Sequence, residues 1–158
     1  MPFKSDFLPL CDKIDSAIAQ WMKRNGHFFL RMSLGFIFIW FGALKPFGLS
    51  PAQALITKTV YWFDPAIFIP ILGWWEVLIG LCLLVRPLIR LGIFLLVLQM
   101  SGTVLPLFIL PEVCFKQVPF VLTLEGQYII KNLILISAAI VVGGTVRKSP
   151  KSEGSIRL

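Results

Sequence analysis

The sequence predicts an all-α polytopic membrane protein, built as a bundle of four transmembrane helices, and three observations lead to this prediction. Of the 158 residues, 57% are hydrophobic and only 15% are charged. Soluble domains average about 45–50% apolar residues and about 25% charged residues. Four long apolar segments follow one another along the chain, each near the roughly 20 residues that cross a hydrocarbon core. Lys and Arg are distributed unequally between the connecting segments, as is typical of a protein with one fixed orientation in the membrane.

The predicted spans cover residues 28–44, 66–85, 91–110 and 128–143. The first contains one early charge, Arg31, the second only Glu76, the third none and the fourth only Lys131. Short stretches rich in Arg, Gly, Ser and Pro separate the first three spans, and such stretches mark loops. We therefore predict one membrane domain over residues 27–146.

The two ends of the chain differ from the spans. Residues 1–26 are predicted to form an amphipathic helix that lies on the cytoplasmic face, since apolar residues recur there at helical spacing. Asn25-Gly26 is predicted to end this helix. A second amphipathic piece is expected over residues 51–63 on the opposite face. The basic, polar tail over residues 147–158 is predicted to be disordered.

The cationic side chains outside the spans predict the orientation. With the N-terminus inside, the inner side collects Lys4, Lys13, Lys23, Arg24, Arg86, Arg90, Arg147, Lys148, Lys151 and Arg157. The outer loops then hold only Lys45, Lys58 and Lys116. This bias predicts N-in, C-in topology. Because these cations do not form a patch interleaved with aromatic residues, the net charge of +7 does not indicate nucleic-acid binding.

Several kinds of chemistry are not expected from this chain. The three cysteines lie far apart and form no CxxC pair, so a thiol–disulfide relay within the chain is not predicted. His27 is the single histidine, and no cluster of His, Cys and carboxylates has ligand spacing. We therefore expect no metal site and no haem ligation from this chain.

The polar residues inside the spans form the candidate binding cluster. A charge at the centre of a bilayer costs about 2.5–3.5 kcal/mol on insertion scales, so Glu76 is expected to face the bundle interior with Lys131 or Lys45 as its counter-charge. Polar groups on all four spans fall at overlapping depth in the outer half. The predicted cluster comprises Glu76, Lys131, Lys45, Gln99, Thr103 and Trp75. Whether Glu76 is a structural pin or a functional group stays open at this stage.

Small residues on the first two spans predict where the helices approach each other. On each of these spans the polar and small residues recur with their neighbours at spacings of three or four, which places them on one helix face, and small residues on such a face let transmembrane helices approach closely. The predicted structural residues are Arg31, Gly35, Gly42, Gly73 and Gly80.

These residues also carry a resemblance to a known family. The order of "RMSLGFIFIWFGALKPF", "GWWEVLIGLCLLVRPLIRLG", "LFILPE" and "EGQYIIKNLILISAAIVVGG" resembles the DoxX-like superfamily of four-helix proteins of the bacterial inner (plasma) membrane, in its YkgB-type branch. The resemblance covers about residues 28 to 144. Its most specific part is the ordered set of charged residues Arg31, Lys45, Glu76, Arg90 and Lys131.

The resemblance implies a membrane subunit or accessory of a quinone-linked oxidoreductase or of an oxidative-stress defence system. Quinone is then the implied ligand, and a soluble or membrane oxidoreductase is the implied partner, beside the lipid bilayer itself. A non-catalytic scaffold or assembly factor is the alternative, and a small proton-coupled transporter is a third class. Enzymatic activity of the chain itself and a homo-oligomeric state are both left open.

Overall fold

The computed structural model describes residues 7–145 of the chain, and it describes side chains from residue 11 onward. The predicted tail over residues 147–158 lies outside the described residues. Helices and one short hairpin follow in the order α1 (Phe7–Leu44), α2 (Gln53–Thr59), α3 (Pro65–Leu84), α4 (Ile89–Thr103), α5 (Pro106–Ile109), α6 (Pro111–Cys114), β1 (Phe115–Gln117), β2 (Val121–Leu122) and α7 (Leu124–Gly144).

Within residues 7–145, four helical segments are long and apolar enough to cross a membrane. They are Cys11–Leu44, Pro65–Leu84, Arg86–Ile109 and Leu124–Gly144. This confirms the prediction of a predominantly helical chain with four candidate membrane spans. Each predicted span lies largely within one of these segments, because apolar length is the property that both the sequence and the structure report.

The expected end of the first helix at Asn25-Gly26 is wrong. α1 continues through both residues and forms one helix of 38 residues. The Asn25 side-chain amide donates to the Trp21 carbonyl at 3.1 Å, which satisfies that side chain within the helix. A glycine in a helix interior costs only about 1 kcal/mol relative to alanine, and the uninterrupted helix on both sides offsets this cost.

The starts of α3 and α7 follow ordinary capping chemistry. Asp64 precedes α3 and its carboxylate accepts from the Ala66 N–H at 2.9 Å, with Pro65 at the first helical position. Thr123 precedes α7 and its hydroxyl accepts from the Gly126 N–H at 3.2 Å. These caps fix where the second and fourth spans begin.

The third span is not one regular helix, although the sequence predicts a continuous span over residues 91–110. A 3-10 turn over Arg86–Leu88 leads into α4. The helix stops at Thr103, and α5 begins anew at Pro106. Proline has no N–H to continue the helical hydrogen-bond ladder, and its ring clashes with the preceding turn, so the regular α-helix is interrupted here.

The four long segments form a bundle in which α3 packs against α1 and α4, and α7 packs against the same two helices. We call the end with the 3-10 turn the Arg86 end, and the end with α2 and the hairpin the α2 end. The buried apolar core lies toward the Arg86 end, where residues near the start of α4 meet the ends of α3 and α7. It comprises Leu34, Phe38, Ile79, Leu83, Ile89, Leu95, Leu96, Met100, Ala139 and Val142.

Short elements cover the α2 end. α2 lies inside the amphipathic piece that the sequence predicts over residues 51–63. The antiparallel hairpin β1–β2, which the sequence patterns do not predict, pairs Phe115 with Leu122 and Gln117 with Val121. Thr123 ties this hairpin to α6, since its hydroxyl donates to the Val113 carbonyl at 2.7 Å and its N–H to the Cys114 carbonyl at 3.0 Å.

Candidate functional site

A buried charged triad links α1, α3 and α4. Lys45, in the turn after α1, forms an ion pair with Glu76 on α3. The Gln99 amide on α4 donates to the second Glu76 oxygen, Oε1, at 2.6 Å. The three residues are 5%, 8% and 9% exposed. The carboxylate is therefore held by two donors from two different parts of the bundle, away from water.

Two glycines make room for this ion pair. A Cβ atom on Gly42 would stand 2.8 Å from the Glu76 Cβ, and one on Gly73 would stand 2.8 Å from the Lys45 Cβ. Each of these Cβ atoms would also lie 2.7 Å from the carbonyl oxygen of the other glycine. Only hydrogen at both positions lets α1 and α3 approach closely enough for Lys45 to reach Glu76.

The triad forms part of the wall of a cavity of about 410 Å³ at the α2 end. Ligand sites commonly measure about 300–1,000 Å³ and are mostly apolar with a few placed polar groups. This cavity has that character. Its apolar and aromatic lining includes Phe38, Phe41, Leu55, Ile56, Trp62, Phe68, Leu72, Leu98, Pro106 and Ile129, and its polar lining includes Lys45, Glu76, Gln99, Thr59, Thr103, Tyr128 and Asn132.

Several lining residues are also exposed on the outside of the spans. Phe41 on α1, Ile71 on α3 and Leu98 on α4 all line the cavity, and their exposed fractions are 44%, 56% and 53%. These side chains form a thin wall between the cavity and the apolar outer surface of the spans.

Two further members of the predicted cluster line the same cavity. Trp75 is half-buried beside Glu76, and its indole N–H is buried without a hydrogen-bond partner among the described residues. The Thr103 hydroxyl donates to the Met100 carbonyl at 2.9 Å, within its own helix. The structure thus brings Lys45, Glu76 and Gln99 into direct contact and places the other two nearby.

Lys131 lies apart from the other predicted cluster residues. Its side chain is exposed on α7 and does not line the cavity. Of the two counter-charges that the sequence offered for Glu76, the structure brings Lys45 to the carboxylate and leaves Lys131 outside. The neighbouring Asn132 faces the cavity instead, because Gly126, Ile129 and Ala139 set the buried face of α7.

Asn132 and Tyr128 are polar cavity residues that are absent from the predicted cluster. A signal for them was present, since Tyr128, Asn132 and Leu135 recur at spacings of four and three residues, which is one helix face. Lys131, which carries a formal charge, lies on the adjacent face of the same helix.

The predicted structural residues mostly lie in the α1–α3 contact. A Cβ atom on Gly80 would stand 2.6 Å from the Gly35 carbonyl oxygen, so this glycine pair repeats the arrangement of Gly42 and Gly73 two helical turns away. Arg31 is half-buried near the start of the first span, with its guanidinium carbon 5.9 Å from the centre of the Phe28 ring.

The cysteines lie outside the triad. Cys114 is fully buried at the end of α6, where its thiol donates to the Pro106 carbonyl at 3.5 Å. Burial raises the pKa of the Cys114 thiol, and the nearby Glu125 and Glu112 carboxylates raise it further. Among residues 7–145, no group of three His, Cys, Asp or Glu side chains is placed to hold a metal ion.

Comparison of the chain with protein-family models, with curated proteins and with solved structures gave no match in any of the three. A function for this protein is therefore inferred from the geometry of the triad and its cavity.

Proposed function

We propose that the cavity at the α2 end binds a quinone, and that the protein is a membrane subunit or accessory of a quinone-linked oxidoreductase or oxidative-stress defence system. The observation that carries this proposal is the buried Lys45–Glu76–Gln99 triad in the wall of an otherwise mostly apolar cavity. DoxX-like identity belongs to the same proposal and rests on the ordered charged residues.

The chemistry of the cavity wall suits a quinone. A quinone ring and its isoprenoid tail are apolar, and its carbonyl oxygens accept hydrogen bonds. Lys45 carries three N–H donors and uses one of them on Glu76, and the Trp75 indole N–H has no partner among the described residues. An apolar ring can therefore pack against Phe38 and Leu72 while its polar edge meets these donors.

The proposed location of the protein is a bacterial inner membrane, with both termini in the cytoplasm. Ten Lys and Arg side chains on one side against three on the other support this orientation. The α2 end, with the cavity, then faces the outer side. At about 1.5 Å per residue, the 38 residues of α1 exceed a core of about 30 Å, so its N-terminal part reaches the cytoplasmic interface.

The transporter alternative receives less support from the site. A proton-coupled carrier needs a membrane carboxylate that exchanges its proton during transport. Glu76 is instead engaged by the Lys45 ammonium and the Gln99 amide at the same time, so protein donors already occupy both carboxylate oxygens. The scaffold alternative predicts no ligand in the cavity, so a binding experiment separates it from a quinone site.

The test is a melting experiment on purified protein in lipid nanodiscs with ubiquinone and menaquinone analogues. Wild type is compared with Glu76→Gln and with the matched control Lys131→Met, which removes an exposed charge outside the cavity. Because a ligand that binds only the folded state raises the melting temperature with concentration, we expect a shift for wild type and Lys131→Met that is reduced or lost in Glu76→Gln.

A folded variant is needed for this comparison. If Glu76→Gln is too unstable, the double variant Lys45→Met/Glu76→Gln replaces it, since neither buried charge then remains unpaired. An equal shift in all variants, or no shift at saturating quinone in wild type, contradicts a quinone site at the triad.

A further inference from the structure

Two buried polar atoms, one in the triad and one next to it, lack hydrogen-bond partners among the described residues. They are the Gln99 side-chain oxygen, Oε1, and the Trp75 indole nitrogen, Nε1. Both residues line the cavity. An unpaired buried acceptor or donor costs about 1–3 kcal/mol, and native interiors leave few such atoms unsatisfied. A ligand in the cavity that offers a donor to Gln99 and an acceptor to Trp75 would satisfy both atoms.

The orientation of the Gln99 amide is determined by its neighbour. Glu76 in its ion pair with Lys45 is an acceptor only. The amide nitrogen of Gln99 must therefore face the carboxylate. In the structure, Nε2 of Gln99 lies 2.6 Å from Oε1 of Glu76. Flipping the amide would set two acceptor oxygens against each other. The Gln99 oxygen is thus fixed as a free acceptor.

We infer that the site selects a ligand that donates a hydrogen bond from a hydroxyl group, which makes the reduced quinol, rather than the quinone, its preferred ligand. This inference rests on the proposed function and specifies its ligand. A quinol hydroxyl donates to the Gln99 oxygen, and hydroxyl oxygens also accept, as the Trp75 N–H requires. A quinone carbonyl only accepts and leaves the Gln99 oxygen unpaired.

The same hydroxyl chemistry belongs to apolar alcohols, so the test must separate the two sources. Four compounds with the same ten-carbon tail are titrated against the protein in nanodiscs: decyl-ubiquinone, decyl-ubiquinol, the dimethyl ether of decyl-ubiquinol, and 1-decanol. Nanodiscs replace maltoside detergents because maltosides themselves carry hydroxyl groups. Quinol samples are kept anaerobic with a chemical reductant, and apparent affinities are taken from the concentration dependence of the melting shift.

The expected result is that decyl-ubiquinol binds about tenfold more tightly than decyl-ubiquinone, with the dimethyl ether no better than the quinone. Tenfold corresponds to about 1.4 kcal/mol, within the cost of one unpaired buried acceptor. Gln99→Met removes the acceptor at similar volume and is expected to abolish the preference for quinol. Gln99→Leu provides a second variant should Gln99→Met fail to fold, because it also removes the acceptor oxygen but has a different side-chain shape.

The outcomes separate this inference from the proposed function. Equal or tighter binding of the quinone overturns the quinol preference and leaves a quinone site in place. Binding of 1-decanol alone, lost in Gln99→Met, supports hydroxyl recognition and overturns the quinone function. A quinol preference that persists in Gln99→Met overturns the role of the Gln99 oxygen, and no binding of any compound overturns both proposals.

Discussion

At the scale of single residues, Glu76 is explained by what surrounds it. A carboxylate inside an apolar span is unfavourable on its own, but the Lys45 ammonium and the Gln99 amide meet its two oxygens. Gly42 and Gly73 are part of this explanation because any larger residue would occupy the space between the backbones. The ion pair and the close approach of α1 and α3 therefore depend on each other.

The ion pair leads to a stability prediction. Removing one partner of a buried pair leaves an uncompensated charge and typically costs about 3–5 kcal/mol. We expect Lys45→Met and Glu76→Gln each to lower the free energy of unfolding by about this amount, measured by denaturant titration in mixed micelles. The double variant should regain most of the loss, whereas Lys131→Met should change stability by less than about 1 kcal/mol. Additive losses in the double variant would contradict a coupled pair.

The cysteines give a chemical prediction. The thiolate is the reactive form, and burial with two nearby carboxylates raises the pKa of Cys114, which lowers its thiolate fraction at neutral pH. We expect N-ethylmaleimide at pH 7 to modify exposed Cys11 quickly and buried Cys114 slowly, with Cys114 labelling increasing as the pH is raised. Mass spectrometry of labelled peptides measures both rates, and denatured protein supplies the reference. Equal rates in the folded protein would contradict the burial of Cys114.

At the scale of elements, the glycine pairs define how α1 meets α3. Gly35 lies against Gly80 and Gly42 against Gly73, with a spacing of seven residues between the pairs on each helix. Seven residues are close to two helical turns, so both contacts fall on one face of each helix. This arrangement could be anticipated from the spacing of small residues, whereas the partner of each glycine could not, because spacing alone does not fix the register between two helices.

The glycine contacts predict a clear contrast between alanine substitutions. Gly42→Ala and Gly73→Ala are expected to destabilise the protein by about 1–3 kcal/mol each, the usual cost of overpacking, because the added carbon meets backbone at 2.7 Å. Gly102→Ala is the matched control, since no neighbouring atom of the described residues lies within 4 Å of its Cβ position. It should be neutral or stabilising by up to about 1 kcal/mol through helix propensity. Similar losses in all three variants would contradict close packing as the cause.

At the scale of the whole molecule, the sequence was most informative where one physical property dominates. Hydropathy was sufficient to predict four apolar spans, and the cost of a charge in lipid was sufficient to predict the interior position of Glu76. The continuation of α1 through Gly26 could not be predicted. Asn25-Gly26 is a local signal for the end of a helix, but the helical segments on either side outweigh it. The choice of Lys45 over Lys131 could not be predicted either, since it depends on the rotation of α7, which the buried residues Gly126, Ile129 and Ala139 set.

The proposed orientation is tested by labelling from outside. In a chain without other cysteines, a membrane-impermeant maleimide applied to intact spheroplasts is expected to modify Gln117→Cys in β1. A chain that retains only Cys11 should be modified only after permeabilisation. The positive-inside bias is the physical reason. The reverse pattern would contradict the N-in, C-in orientation, and labelling of both sites from outside would indicate two orientations.

The proposed quinone site in the cavity at the α2 end is tested most directly by photolabelling with an azido-quinone. The protein is irradiated in nanodiscs with and without excess unlabelled quinol, and modified residues are located by mass spectrometry. We expect labels that excess quinol suppresses, concentrated on cavity residues such as Phe41, Trp75 and Asn132. Labels spread over exposed residues outside the cavity, such as Phe94 and Ile134, with no suppression by quinol, would contradict a quinone site in this cavity.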